Sequence, residues 1–549
     1  MLKSLFAVAI TSTALFGQSL SAHVDDPLSH GAVGDQRLSL DEAIRLANGT
    51  LAMAALSPAE QARVTGSGMH VLEIAVDPMA TPAITLESPL TEIHGPGHLA
   101  GELIVRGGSH MGMTMIHGGS HATVFALRTQ FARIEGFHVM GGQVAVDARM
   151  APAGMPGQHM ADVHGCMFEQ QGVAAVRLHG ALDDESMLML EHCEFSNLPV
   201  GILIDDRTAT GMCMGELEFV AMDGVALGCD VADNGNGLMS MLFVFRSSFA
   251  NGSTLARMRR TPTSTNQFMF RFVHCDVTCD ADVLDIQGTA NGLTMVHHHH
   301  SDFVAGPGRK AFWVWPRTAE FDIHGSEMVF DGDVHVAGNR FTMRVWQQNN
   351  DYVNSSIVYD VDGALPNLLW NRYTNCSFDV PATARSPVTV RSSEFSGTAV
   401  TGNSILAPIQ LQGCWRSGGT LNGLVTESQP APARFLGTTL VGEQEPQIGS
   451  ALHLSTDLPS NLGVVWDVML SESRPVTTAE PVRLYGDLGT AFLLHGVYAL
   501  QSQVAMPLPN DPNLVGLEFY VQAIAFPFVA QPHIPVFHLP RGSLVRPRV

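Results

Sequence analysis

The sequence predicts an all-β solenoid, a parallel β-helix, preceded by a helical cap and followed by a small antiparallel β-domain. Three observations predict it. A short pattern of Cys or Ser between polar residues, ending on Phe or another apolar residue, returns about every 24 to 30 positions between Phe137 and Phe378, a period that belongs to repeat architectures. Each period carries a short apolar run, such as Gly172-Val-Ala-Ala-Val-Arg-Leu178 or Gly201-Ile-Leu-Ile-Asp205, set between Gly, Asn and Asp turn residues. The period is too short for a propeller blade, and the Leu/Asn signature of leucine-rich repeats is absent.

The pattern reads Val163-His-Gly-Cys166-Met-Phe168, Leu190-Glu-His-Cys193-Glu-Phe195, Phe245-Arg-Ser-Ser248-Phe249, Phe272-Val-His-Cys275-Asp-Val277 and His299-His-Ser301-Asp-Phe303. Later copies are Tyr373-Thr-Asn-Cys376-Ser-Phe378 and Val390-Arg-Ser-Ser393-Glu-Phe395, and Cys414 fits more loosely. The Cys/Ser slot is expected to face the interior of successive coils, where a thiol packs as a small hydrophobe. Stacked thiols are favoured over disulfides because Ser takes the same slot, although export would permit bridges. No CxxC pair or Cys/His zinc spacing occurs among the eight cysteines.

The sequence divides into segments 1–22, 23–100, 101–427, 428–434 and 435–549. Residues 1–22 read as a secretory signal: Lys3 is the positive region, Leu5 to Phe16 the apolar stretch, and Ser19, Ser21 and Ala22 the small residues for cleavage. The competing reading is a buried first element. The mature chain is then expected to be exported, to the periplasm, the cell surface or the medium, with no transmembrane segment. Two capping boxes, Ser39-Leu-Asp-Glu42 and Ser57-Pro-Ala-Glu60, open helices in the 23–100 segment. Strand-like runs such as Val71-Leu-Glu-Ile-Ala-Val76 follow. Residues 101–427 are the repeat. Ser428 to Arg434 is a Pro-rich linker, and beyond it Gly463 to Leu470 and Leu517 to Ala523 read as strands of a separate β-domain.

Arg37-Leu-Ser-Leu-Asp-Glu-Ala-Ile-Arg-Leu-Ala-Asn48 resembles the CSLREA-type segment near the N-terminus of many bacterial secreted β-helix proteins. This copy lacks the Cys and carries Asp41 where Arg is usual. The resemblance implies a helical cap followed by a right-handed parallel β-helix, and implies no enzyme activity. The segment from Pro507 to Gln522 is similar to C-terminal modules of large secreted proteins of environmental bacteria. An attachment module and a cap over the last coil's edge are both open readings.

Charge narrows the partners. The formal net charge is −22, and Lys occurs only at Lys3 and Lys310. An acidic chain without a basic run is not expected to bind nucleic acid or an anionic membrane surface. Alternation places His192, His274 and His300, with Glu216 and Arg246, just before the slot; Glu194, Glu218, Asp276, Asp302 and Glu327 come just after it. Stacked in register, these would form two exterior ladders, with His274, Asp276, His300 and Asp302 on adjacent coils and Arg246 one coil earlier. Asp276 and Asp302 are the metal candidates, and Ca²⁺ the ion their hard oxygens would take. The alternative is an ordinary solvated sheet face.

Three further features bear on function. His297 to His300 alternate across a strand, so the run divides into two pairs on opposite faces; structural and metal-binding readings both stand. Trp313 and Trp315 share a face and offer a platform for sugar rings, unless they pack in the core. Arg257, Arg259 and Arg260, with Arg340 and Arg344 beyond, can pair with uronate carboxylates or with the protein's own acids. Asp183-Asp184 and Asp205-Asp206 invite comparison with carboxylate pairs of glycoside hydrolases, or are turn chemistry. The companion motifs of polygalacturonases and pectate lyases are missing. The functional expectation is a secreted or surface binding and structural protein recognising a polysaccharide or surface glycan. The alternative is a polysaccharide lyase, hydrolase or epimerase with a diverged exterior groove.

Overall fold

The computed structural model describes residues 19–428 except 31–32, 68–69, 95–101, 110–111, 130, 150–157, 181–184, 207–210, 238, 327, 340–343, 349, 364–365, 370 and 392. Beyond 428 it describes the backbone of strands only. Within that range the chain is an all-β, right-handed parallel β-helix with a helical cap and a C-terminal antiparallel β-region. It divides into two compact units, residues 1–294 and 295–549.

In the first unit, from Leu103–Arg106 onward, each coil lays one strand on each of three parallel sheets. The first sheet runs from Leu20–Val24 and Val71–Val76 to Met239–Phe245 and Gln267–Val273. The second ends at Asp276–Cys279 and the third at Leu284–Gln287. Parallel strands joined by short corners cannot bury an apolar face alone, so the core is the column enclosed by stacked coils. Ile134, Val163, Leu190, Leu217, Val244 and Phe272 occupy one interior row of the first sheet, all essentially unexposed. The helix Leu40–Ala47 covers strands Leu20–Val24 and Val71–Val76 with Leu40, Ala43, Ile44 and Ala47 buried. Its capping box is made: Glu42 N–H donates to Ser39 Oγ at 3.3 Å, and Ser39 N–H to Glu42 Oε2 at 2.9 Å. Ser57 and Glu60 form the second box, but that helix is only Pro58–Gln61.

The outer face of the first sheet carries one apolar row beside its polar ones. Met160, Met187, Met214, Met241 and Met269 stack in one register row, one per coil. Flexible thioethers interlock along such a row, and Met214 is only 2% exposed although its strand neighbours Cys213 and Gly215 are the ones that face inward.

In the second unit the first sheet runs from Thr294–His299 through Phe321–Ser326 to Val425–Ser428, and the third from Lys310–Trp315 to Leu421–Gly423. An interior aromatic column, Phe330, Tyr352, Tyr373 and Phe395, stacks at centroid spacings of 5.2, 4.9 and 4.7 Å. Farther on, Leu462–Leu470 pairs antiparallel with Phe519–Pro527, and Ala451–Ser455 with Gln503–Pro507. No helix among the described residues is long and apolar enough to cross a membrane.

Two corners generate the sequence repeat. At the first, a residue with positive φ turns the chain from the first sheet to the second: Gly136, Gly165, His192, Phe219, Arg246 and His274 in the first unit, His300 and Gly413 in the second. The next residue points inward and is Phe137, Cys166, Cys193, Val220, Ser247 or Cys275, then Ser301, Met328, Asn350, Asn371, Ser393 or Cys414. Where it carries a thiol or hydroxyl, that group donates to the carbonyl two residues back: Cys193 Sγ to Glu191 at 3.5 Å, Ser247 Oγ to Phe245 at 2.7 Å, Ser393 Oγ to Arg391 at 2.8 Å. Cys and Ser interchange here because each fits the space and donates to that carbonyl, which also accepts a backbone N–H from the neighbouring coil, as Glu191 does from Gly165 at 2.9 Å and Phe245 from Phe219 at 3.2 Å. Cys376 belongs to a different corner, between the second and third sheets, after Asn375 at φ 53°. All eight cysteines are free and buried, and burial pushes the Cys166 thiol up to about 12.

Candidate functional site

The exterior ladder takes a different form from the expected one. The residue before the slot sits on a corner with positive φ, not on a strand, so it leaves the face of the residue after the slot. In the first unit the corner column is His192, Phe219, Arg246 and His274, with Arg246 one coil before His274. His192 stacks on Phe219 at 4.9 Å with rings nearly parallel, and the Arg246 guanidinium lies 5.4 Å from the Phe219 ring.

Glu216 and Glu218 belong elsewhere. They lie on the outer face of the first sheet, in rows with Met189 and Phe243 and with Glu191 and Phe245. Val220 fills the slot of that coil, so the Cys/Ser signal is silent there and the alignment slips. The slot of the next coil is Ser247, and Ser248 is exposed. Glu218 meets Arg246 at 2.9 Å, and His192 meets Glu191 at 3.7 Å.

Within each unit the carboxylates after the slot are interrupted by other residues. Along the second sheet the row is Met167, Glu194, Ala221, Ser248 and Asp276, so Glu194 and Asp276 are separated by two coils of Ala and Ser. In the second unit Asp302 is followed by Val329 and then Asp351. Neither Asp276 nor Asp302 belongs to a group of potential metal ligands among the described residues. His300 occupies the corner but is buried, at 4% exposure, which removes it from an open exterior face. Glu327 and Arg340 lie outside the described residues, as does the Arg344 side chain.

The second unit presents two other outward faces. On the third sheet, Ala311, Phe312 and Val314 of strand Lys310–Trp315 are buried, while Trp313 and Trp315 are half-buried on its outer side. Their rings stack at 5.4 Å with planes 25° apart. Lys310 Nζ lies 4.0 Å from the Trp313 ring centre, a cation–π contact. His335 is the register neighbour of Trp313 on the next coil. Burial and then Lys310 hold the His335 imidazole below its ordinary pKa, against the opposing pull of Asp360. The pair thus offers an apolar platform edged by an ammonium and a neutral imidazole.

On the first sheet, Val296 and His298 of strand Thr294–His299 point inward and are unexposed, and His297 and His299 point outward. The histidine run therefore divides across the sheet as alternation requires. Burial pushes the His298 imidazole down to about 3, against Phe312 and Phe330. Outside, His297 faces His324 at 4.9 Å between ring centres, His324 Nε2 contacts Asp322 Oδ1 at 3.0 Å, and His299 Nδ1 is 2.8 Å from Ser326 Oγ. Trp346 flanks His324 at 5.8 Å. Sequence reasoning missed Asp322 and His324. The available signal was their i, i+2 spacing on one strand face, with His324 one repeat period after His297.

The remaining candidates are internally satisfied or fall outside view. Arg257 pairs with Asp230 and Arg259 with Asp285, while Arg260 is buried against Asp233. Asp205 points outward to His179 at 3.6 Å, whereas Asp206 is unexposed and accepts from Asn266 Nδ2 at 2.9 Å. Alternation thus sends the two carboxylates to opposite faces. Asp183 and Asp184 lie outside the described residues. Comparison with family models, with curated proteins and with solved structures finds no match to this chain.

Proposed function

We propose that this chain is an exported glycan-binding β-helix. The observation that carries the reading is the outward Trp313–Trp315 pair with Lys310 beside it. Stacked indoles cost little conformational entropy to present and match the apolar faces of sugar rings. Lys310 is one of only two lysines in an otherwise acidic chain, and it supplies positive charge where a carboxylated or sulfated sugar would lie. The expected signal sequence accords with an extracellular ligand; cleavage near Ala22 would remove the first part of strand Leu20–Val24. The CSLREA-like segment around the cap helix accords with a secreted β-helix.

A glycan array probed with the exported chain tests this reading, followed by titration of the best hit with tryptophan fluorescence. Wild type should bind neutral or acidic glycans and shift its emission. Trp313→Ala and Trp315→Ala should each weaken binding by about tenfold or more, since ring stacking contributes on the order of 1–2 kcal/mol. Binding that survives both substitutions would place the ligand elsewhere. Product analysis on the same hits separates binding from the alternative, cleavage or epimerisation of the polysaccharide.

A further inference from the structure

We propose that His297, Asp322 and His324 form a divalent transition-metal site on the outer face of the first sheet. The three residues bring one ligand atom each to within 4.8 Å of one another. Two neighbouring parallel strands build the site. His297 comes from Thr294–His299, while Asp322 and His324 come from Phe321–Ser326, two residues apart and therefore on one face. Inward neighbours fix the orientation: Val296, His298, Phe321 and Ile323 are unexposed, so their alternates must point out.

The geometry suits a small ion. Nitrogen and oxygen ligands sit ~2.1 Å from Zn²⁺, which puts the atoms at the corners of a tetrahedron ~3.4 Å apart. His324 Nε2 and Asp322 Oδ1 are already 3.0 Å apart. The His297 ring lies 4.9 Å from His324 between centres, and one of its nitrogens is within 4.8 Å of the other two ligand atoms. Two imidazoles and one carboxylate select Zn²⁺, Ni²⁺ or Cu²⁺ over Ca²⁺, which prefers six or more oxygens. All three side chains are half-buried, not sealed, so three protein ligands leave a fourth position for water or a ligand oxygen. Trp346 packs beside His324 and limits the motion of that ring.

The site is independent of the tryptophan platform, and its test needs no glycan. Full-length chain without an affinity tag is stripped with chelator, dialysed, and titrated with Zn²⁺ by calorimetry and with Co²⁺ by visible absorption. The expected result is one Zn²⁺ per chain and a tetrahedral Co²⁺ spectrum. Both should be lost in His324→Gln and His297→Gln, and affinity should fall by about tenfold or more in Asp322→Asn. His192→Gln, in the other unit, should bind as wild type. Should a Gln variant lose its β-sheet circular dichroism, the near-isosteric Asp322→Asn decides. No stoichiometric Zn²⁺ uptake would overturn the proposal. So would binding that survives in His324→Gln and Asp322→Asn but fails in His299→Gln, because that pattern assigns the metal to the histidine run alone.

Discussion

Arg260 Nε lies 2.7 Å from Asp233 Oδ2, and neither side chain is exposed to solvent. The two are register neighbours at the ends of strands Leu227–Asp233 and Thr254–Arg260. Arg260 also donates to Thr294 Oγ1 at 2.7 Å and to the Gly292 carbonyl at 3.0 Å. Asp206 precedes Asp233 in the same row, so one guanidinium faces two buried acids. Removing it leaves those carboxylates without their counter-charge. Arg260→Met should therefore destabilise the first unit by roughly 3–5 kcal/mol, read as a lower urea midpoint. Asp233→Leu combined with Arg260→Met should recover part of that loss, since it removes one of the two uncompensated carboxylates and leaves Asp206.

Asp147 is the acid-sensitive centre of the third sheet's outer face. Arg177 Nε lies 2.7 Å from it, Arg149 Nε 2.9 Å, Arg128 3.0 Å and His179 Nε2 3.5 Å. Burial alone would raise its pKa, but the bonds from His179 and Arg177 and the nearby guanidinium charges outweigh it, so the carboxyl is held well below the usual range. A depressed carboxyl contributes stability that is present above the unfolded value, about 3.9, and is lost as pH falls through the folded value. Asp147→Asn should cost roughly 2 kcal/mol at neutral pH. The gap from wild type should narrow steadily below about pH 4. A gap that stays constant down to pH 2 in urea titrations would show that Asp147 does not carry the linkage.

The repeat was legible because the corner slot is buried and in most coils holds a small side chain that donates a hydrogen bond. Phase was less legible. Two different corners use the same arrangement of an Asn, Gly or His with positive φ, a small inward residue, one outward residue and an aromatic, so Cys376 and Cys193 read alike although they turn different edges. Val220 satisfies the space without the donor, which hid the Phe219 corner and displaced Glu216 and Glu218 from their sheet. The tryptophan pair was visible because i, i+2 aromatics leave no ambiguity about a shared face. The Asp322–His324 pair had the same spacing, but its partner His297 lay one coil away, and coil length varies enough to blur that register.

The methionine row offers a test of packing outside the core. Met214 lies between Met187 and Met241 and is 2% exposed. Truncating a methionine that is fully enclosed leaves a cavity whether it points inward or outward. Met214→Ala should lower stability by about 2–3 kcal/mol, visible in the urea midpoint of the first unit. Loss of less than ~0.5 kcal/mol, the range of ordinary surface substitutions, would mean that the outer row does not pack as a cluster.

Lys310 and His335 flank Trp313 on neighbouring coils, and the ammonium disfavours protonation of the imidazole. Burial is the larger cause of the low His335 pKa and Lys310 the next. Lys310→Met keeps the stem over the indole but removes the ammonium, so the His335 pKa should rise part of the way to its ordinary value and stop short, because burial remains. Imidazole NMR titration measures this directly. The same substitution separates the two roles of the lysine in ligand binding. A neutral glycan that stacks on Trp313 and Trp315 should be held about as well by Lys310→Met as by wild type. A carboxylated or sulfated glycan should lose affinity, and the wild-type preference for it should fade as salt is raised past physiological strength, where exposed charges are screened within about 8 Å. If acidic and neutral glycans lose affinity equally, Lys310 acts through packing on the indole rather than through its charge.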